Sequence, residues 1–302
     1  MKAVVLDQYG PPSNLHLEDV AAPTAGPNQV LIEVHAAGVN PVDWKMRGGD
    51  ARAIFPVEFP AILGFDVAGV VRTCGEGVTT FAAGDRVFGR APKAYAELVA
   101  ADISGLAKIP DGVDFNTAAA LPVIATTADQ LIVKAANTQA GQTILLTGAL
   151  GSVGRLALFR ALELGATVIA GVRSTQVDEA RALGAQKAVD IADDASLRSL
   201  GTVDAVADTI GGDLAPKLLT HVKSGGHYGS IVGPPRGAEL YPSVHINAFG
   251  SQPDPAAMVH FAEAIRDGKL KLPIDLVLPL SEAAEAHARG EHGGIGKIVL
   301  VP

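Results

Sequence analysis

Cysteine is almost missing from this chain. Cys74 is the only one in 302 residues, which excludes an intrachain disulfide and any metal site built from several thiolates. The 8 histidines are scattered, with no HxH or HExxH spacing, so they suggest no metal centre either. Positive charge is also short: 24 Lys and Arg face 32 Asp and Glu, the net charge is -8, and no basic run occurs. Nucleic acid and anionic membrane surfaces are therefore not expected as partners. No uncharged apolar stretch reaches spanning length, and MKAVVLDQYG enters a strand-like pattern without the apolar core of a secretory signal. A cytoplasmic protein is expected. Internal repeats and low-complexity tracts are absent as well.

What is present is a globular composition, 48% hydrophobic and 19% charged, in a chain long enough for two ordinary domains or one large α/β domain. The first hundred or so residues carry short Val- and Ile-rich runs, such as VLIEVHAAGV and VAGVVRTCG, broken by Pro and Gly clusters, which reads as mostly β. From about residue 115 the rhythm changes. The helix-like NTAAALPVIATTADQLIVKAA leads into QTILLTG, SVGRLALFRALELG, TVIAGV, TQVDEARALG, KAVDI and VDAVADTI, an alternation that predicts βαβ units around a parallel sheet. A last helix, DPAAMVHFAEAIRDG, precedes the tail IDLVLP, SEAAEAHARG, GKIVLVP, which need not belong to that sheet.

In TGALGSVG, glycines 148, 151 and 154 follow a buried strand pattern. They precede a helical face of Val153, Leu156, Ala157, Ala161 and Leu164, closed by Gly165. Such spacing alone is weak in a chain with 34 glycines, and a small packing turn is the plain reading. Strand, turn and helix together point unpaired amides and the positive helix end at a pyrophosphate, so Gly148, Gly151, Ser152, Val153 and Gly154 are expected to bind a dinucleotide. The next strand should end beside the adenosine ribose. There the chain has Gly171, Val172, Arg173, Ser174 and Thr175, with no acid until Asp178. An acid would repel a 2′-phosphate and an arginine accommodates one, so Arg173 and Ser174 favour NADPH, unless Arg173 merely solvates a loop.

MKAVVLDQYG, AAGVNPVDWKMRGG, FPAILGFDVAGVV, GDRVFG, KAYAELV, AAALPVIATTA, TGALGSVG, LGA, DTIGG and GKIVLVP occur in this order over nearly the whole chain. In these segments the sequence resembles the medium-chain dehydrogenase/reductase superfamily, and within it the zinc-independent quinone oxidoreductases related to ζ-crystallin. The resemblance implies an α/β fold: a doubly wound parallel-sheet Rossmann domain over 114–269, and a GroES-like β domain over 1–113 and 270–302 that holds the substrate. It places the active site in the cleft between them and suggests a homodimer. Zinc alcohol dehydrogenases of the superfamily take a cysteine from the segment matching GVNPVD and a His-Glu pair from that matching LGFDVAG. Here those positions are Asn40 and Phe65-Asp66, and the cysteine-rich lobe of the structural zinc has no counterpart. Alcohol oxidation is therefore not expected. The expected reaction is metal-independent hydride transfer from NADPH to a quinone or an enone (α,β-unsaturated carbonyl). A biosynthetic enoyl reductase and a non-catalytic NADPH-binding protein stay open.

The resemblance sets Asn40 near the nicotinamide and Thr127 in contact with it; by itself Asn40 before Pro41 reads equally as a turn former. Asp43 and Lys45 could supply or relay a proton, or be paired surface charges. Trp44, the single tryptophan, is taken as core packing. Ser230 and Ile231 are expected to line the cofactor trough, and Ala248 and Phe249 to approach its carboxamide. Lys297 fails the Walker pattern because Ile298 follows, but resembles a family lysine at the cofactor edge. Several relatives carry a tyrosine after the RGG segment and another near the 2′-phosphate. This chain has Asp50-Ala51 and Ile191, so proton delivery from water is expected.

Overall fold

The computed structural model describes residues 1–294 and 296–302. In chain order, the first part contains β1 (Lys2–Leu6), β2 (Leu15–Asp19), β3 (Gln29–Val39), α1 (Pro41–Gly48), β4 (Ala61–Ile62) and β5 (Asp66–Cys74). It continues with β6 (Arg86–Arg90), β7 (Leu98–Asp102), β8 (Leu106–Lys108) and α2 (Phe115–Ala119). Next come α3 (Pro122–Gln130), a π-helical turn at Leu131–Ala135, β9 (Thr143–Thr147), α4 (Ser152–Glu163), β10 (Thr167–Val172), α5 (Val177–Ala182) and β11 (Lys187–Asp190). Then follow α6 (Asp194–Arg198), β12 (Val203–Asp208), α7 (Leu214–Leu219), β13 (Val222–Ser230) and β14 (His245–Ala248). The last elements are α8 (Pro255–Arg266), β15 (Ile274–Pro279), α9 (Ala283–His292) and β16 (Lys297–Val301). Among the described residues no helix is long and apolar enough to cross a membrane.

Two compact units emerge, residues 1–123 with 253–302, and residues 124–252. Residues 114–123 and 253–269, which the resemblance set in a Rossmann domain over 114–269, fall in the first unit. Phe115 is the reason at one end: its ring stacks on His35 with centroids 4.3 Å apart, and the Arg86 guanidinium lies 4.7 Å from its centroid. At the other end α8 buries Ala257, Met258, Phe261, Ala262 and Ala264, and lies against β8.

In the second unit six parallel strands run in the order β11-β10-β9-β12-β13-β14. Counted along the unit this is 3-2-1-4-5-6, the doubly wound order, whose direction reverses between β9 and β12. The central strands β9, β10 and β12 are buried on both faces and so read as near-continuous apolar runs, TILLT being the clearest. In the first unit a seven-stranded sheet runs β15-β16-β3-β5-β6-β8, with β7 also on β3, beside a small sheet β2-β1-β4. Its core is Val, Ile and Leu from alternate positions of these strands. The carboxy-terminal strand β16 sits between β15 and β3, pairing Ile298 with Val39. That register brings Lys297 to the end of β3.

Candidate functional site

In the first unit the end of β3 opens onto a buried polar network. Asn40 is the N-cap of α1 and is paired with Asp43 in a capping box, without a direct side-chain cap hydrogen bond of its own. Asp43, three residues on, accepts the Asn40 backbone N–H at 2.8 Å. The carboxamide is committed elsewhere: Oδ1 accepts from Lys297 Nζ at 2.7 Å, and Nδ2 donates to Asp66 Oδ2 at 2.8 Å. Lys297 also donates to the Val39 carbonyl at 2.9 Å. Asp66 Oδ1 accepts the Val123 N–H at 2.9 Å. Tyr95 donates its hydroxyl to Asp43 Oδ2 at 2.8 Å, and its oxygen lies 3.3 Å from His287 Nε2. Because the Tyr95 hydrogen is already given to Asp43, His287 donates through Nε2, which makes it a neutral tautomer with Nδ1 free as an acceptor. Asn40, Asp43, Asp66, Tyr95 and His287 are all fully buried, and Lys297 is 3% exposed.

Burial dominates the protonation of these groups. It pushes the Asp43 carboxyl up to about 7, against the Asn40 N–H and Tyr95 hydroxyl that favour its ionised form. It pushes Asp66 up to about 6, with Lys297 the strongest opposing influence. It lowers the Lys297 ammonium, which the carboxylates of Asp66 and Asp43 hold up. His287 falls to about 3, by burial and then by the Arg47 charge. Tyr95 is raised well above its usual value, so it is a hydroxyl donor at any working pH.

Of the acid-base pair read from sequence, Asp43 lies in this network and the Lys45 side chain is exposed. Lys297, expected at a cofactor edge, turns its ammonium into the network. Trp44 packs on the first unit's core and stands edge-on to His287 at 6.4 Å. Asp66, Tyr95 and His287 were not singled out as site residues. Asp66 had a signal, a carboxylate within the apolar LGFDVAG, whereas Tyr95 and His287 join only through the tertiary fold.

The second unit holds the phosphate-type turn. Gly148 has φ +61, and a Cβ there would lie 2.4 Å from Thr209 Oγ1. A Cβ on Gly154 would lie 2.0 Å from the Gly148 carbonyl oxygen, so β9 and α4 can meet only through a glycine. Gly151 is the exposed N-cap of α4 and brings no side chain to its first-turn amides. Ser152 and Val153 open the helix, half-buried. Such a cradle fits an anionic pyrophosphate. Where the strand order reverses, Thr147 Oγ1 donates to Asp208 Oδ1 at 2.7 Å and Tyr228 donates to Asp208 Oδ2 at 2.7 Å. Asp208 Oδ1 also accepts the N–H groups of Ile210 and Gly211, at 3.0 and 3.1 Å. This buried brace was missed; its signal was the acid ending VDAVAD.

Arg173 and Ser174 follow β10, both exposed, and no ion pair among the described residues involves Arg173. Ser230 is buried at the end of β13, and its Oγ accepts the Val232 N–H at 3.2 Å. Ile231 donates its N–H to the Asp208 carbonyl at 3.2 Å, and Phe249 to that of Ser230 at 3.1 Å; Ala248 ends β14, exposed. All lie at carboxyl ends of strands, the edge where doubly wound sheets take ligands. Thr127 on α3 donates to Ser251 Oγ at 2.9 Å.

Residues 26–111 match the family described as alcohol dehydrogenase GroES-like domain, and residues 183–300 that described as zinc-binding dehydrogenase. A chloroplast envelope quinone oxidoreductase homolog of Arabidopsis thaliana is 31% identical over 100% of this chain and 98% of its own length. An NADPH-dependent alkenal/one oxidoreductase of the same plant is 32% identical over 100% of this chain and 80% of its own. The solved quinone oxidoreductase of Coxiella burnetii superposes with a TM-score of 0.90 at 31% identity, covering 100% of this chain and 99% of that one. Zinc, which the second family description implies, does not fit the donors present. Phe65 offers no ligand atom, Asn40 Oδ1 already accepts from an ammonium, and both Asp66 oxygens accept N–H groups. With a GroES-like unit, a doubly wound unit carrying the glycine turn, and relatives matched end to end, the chain belongs to the zinc-independent quinone oxidoreductase branch of the medium-chain dehydrogenase/reductase superfamily, enzymes that use a nicotinamide nucleotide.

Proposed function

We propose that the protein is an NADPH-dependent, metal-independent reductase of quinones or α,β-unsaturated carbonyls. The carrying observation is the Asn40–Asp66–Lys297 chain: where zinc dehydrogenases place metal ligands, this protein has a carboxamide held between an ammonium and a carboxylate. Such a site polarises no alcohol or simple ketone, which leaves acceptors that are already electron-poor. The names of the two plant relatives support that acceptor class. Exposed Arg173, just past the end of β10 in a stretch (171–177) without an acid, supports the phosphorylated dinucleotide.

When bound, NADPH supplies a hydride from its nicotinamide ring. The α4 N-terminus and Gly148–Gly154 would hold the pyrophosphate, and Arg173 and Ser174 would hold the 2′-phosphate. Asn40 gives one N–H to Asp66; its second, on a side chain fully buried in the free protein, is the donor we assign to the acceptor oxygen on which negative charge grows, so that oxygen must enter the buried network to reach it. One proton from solvent completes the two-electron reduction. With the purified protein, NADPH absorbance should fall steadily with a naphthoquinone or an enone and stay constant with simple ketones. Silence across the whole panel, or turnover only with added zinc, sinks the reading. Arg173→Glu should move the NADPH:NADH preference by about 10- to 100-fold, since a charged hydrogen bond of about 1.5–3 kcal/mol is lost. An unchanged preference removes Arg173 from the phosphate site.

A further inference from the structure

An Asn at a helix N-cap ordinarily spends its side chain on first-turn amides. Asn40 does not, and chemistry dictates what it does instead. An ammonium only donates and an ionised carboxylate only accepts, so the carboxamide must face Lys297 with oxygen and Asp66 with nitrogen. Turning it over would set an N–H against an ammonium and a carbonyl oxygen against a carboxylate, where none of the three residues is more than 3% exposed. A buried lysine is costly unless it is paired, and this one is held by β16, the Val39 carbonyl and two nearby carboxylates.

We propose that Lys297 and Asp66 are positioning residues that lock and polarise the Asn40 carboxamide, with Lys297 acting as a built-in cation on its carbonyl oxygen. A cation at the oxygen and an anion at one N–H both favour the charge-separated resonance form of the amide. The remaining N–H becomes a stronger donor, held in one direction. The inference rests on the reading of Asn40 as the donor to the acceptor oxygen. Asp43 accepts the Asn40 backbone N–H as the N3 partner of a capping box, and the carboxamide is bonded to Lys297 and Asp66.

The test uses the full-length 15N-labelled protein, with the Asn40 side-chain NH2 pair assigned by its loss in Asn40→Ala. In the wild type the two protons should be widely separated in shift and slow to exchange. Lys297→Met should collapse the separation toward that of a free amide and lower kcat by up to about 100-fold, as a misplaced catalytic group does, while the NADPH Kd stays within about twofold. Lys297→Arg should recover both signals. Should Lys297→Met fail to fold, Asp66→Asn carries the test, because it keeps an acceptor of the same shape without the charge; it should shift the same NH2 pair and lower kcat. An Asn40 pair unmoved in the variant measured overturns the proposal. If the wild type oxidises no NADPH with any acceptor, the functional reading falls, and the amide signals still decide whether the clamp exists.

Discussion

A carboxyl as deeply buried as Asp43 binds its proton more tightly in the folded chain than in the unfolded one, and this has a sign that can be measured. With its pKa raised to about 7, the stability it contributes is fully present below the unfolded value near 4 and is lost as pH rises through 7. Asp66, at about 6, acts in the same direction. His287 opposes them: its pKa is lowered to about 3, so its contribution is present above 6.5 and lost as pH falls. Of these three groups, only the carboxyls still contribute to the slope above pH 6.5. Asp43→Asn, which removes the titrating group and keeps an acceptor for Asn40 and Tyr95, should gain about 1–3 kcal/mol relative to the wild type at pH 8 compared with pH 4. Urea midpoints across that range check it, and parallel pH profiles for the two proteins would refute it. Asp43 and Lys45 look alike in the sequence, two charges near the start of a helix. What distinguishes Asp43 is that it accepts the Asn40 N–H and the hydroxyl of Tyr95, which is 52 residues away in the chain. The partner of Asn40 is 257 residues away, so the clamp could not be read from local pattern.

At the scale of elements much more was legible, because period and punctuation are local. The apolar runs, the alternation with helices and the glycine turn correspond to β9, α4, β10 and the strands that follow, in the doubly wound order. The spacing of glycines showed where a turn lies, but not which glycine is indispensable. The structure ranks them: a Cβ at Gly151 would meet the Gly148 oxygen at 3.3 Å, one at Gly154 at 2.0 Å. Gly154→Ala should push α4 off the turn, weaken NADPH binding at least tenfold, and cost about 1–3 kcal/mol of stability as overpacking does. Gly151→Ala should be much milder. Nicotinamide fluorescence titration with urea unfolding measures both, and equal behaviour of the two variants would contradict the packing argument. What the local pattern missed was allegiance. The sequence DPAAMVHFAEAIRDG is a good amphipathic helix wherever it packs, and tertiary contacts such as that with β8 assign α8 to the first unit.

For the molecule as a whole, a net charge of -8 repels a dinucleotide at long range, so the proposed cofactor site requires local positive features, for which the α4 N-terminus and Arg173 are the candidates. The first unit is also discontinuous, with its final strand in the interior of the seven-stranded sheet. That placement has a consequence during synthesis. The second unit has all its strands once residue 252 has left the ribosome. Residues 37–39 of β3 must wait, with one edge open, until residues 297–301 arrive. Until then Asn40 and Asp66 are without their lysine, so the strand that closes the sheet also delivers the cationic partner of that buried network, and a nascent chain is most vulnerable to wrong pairing beside it.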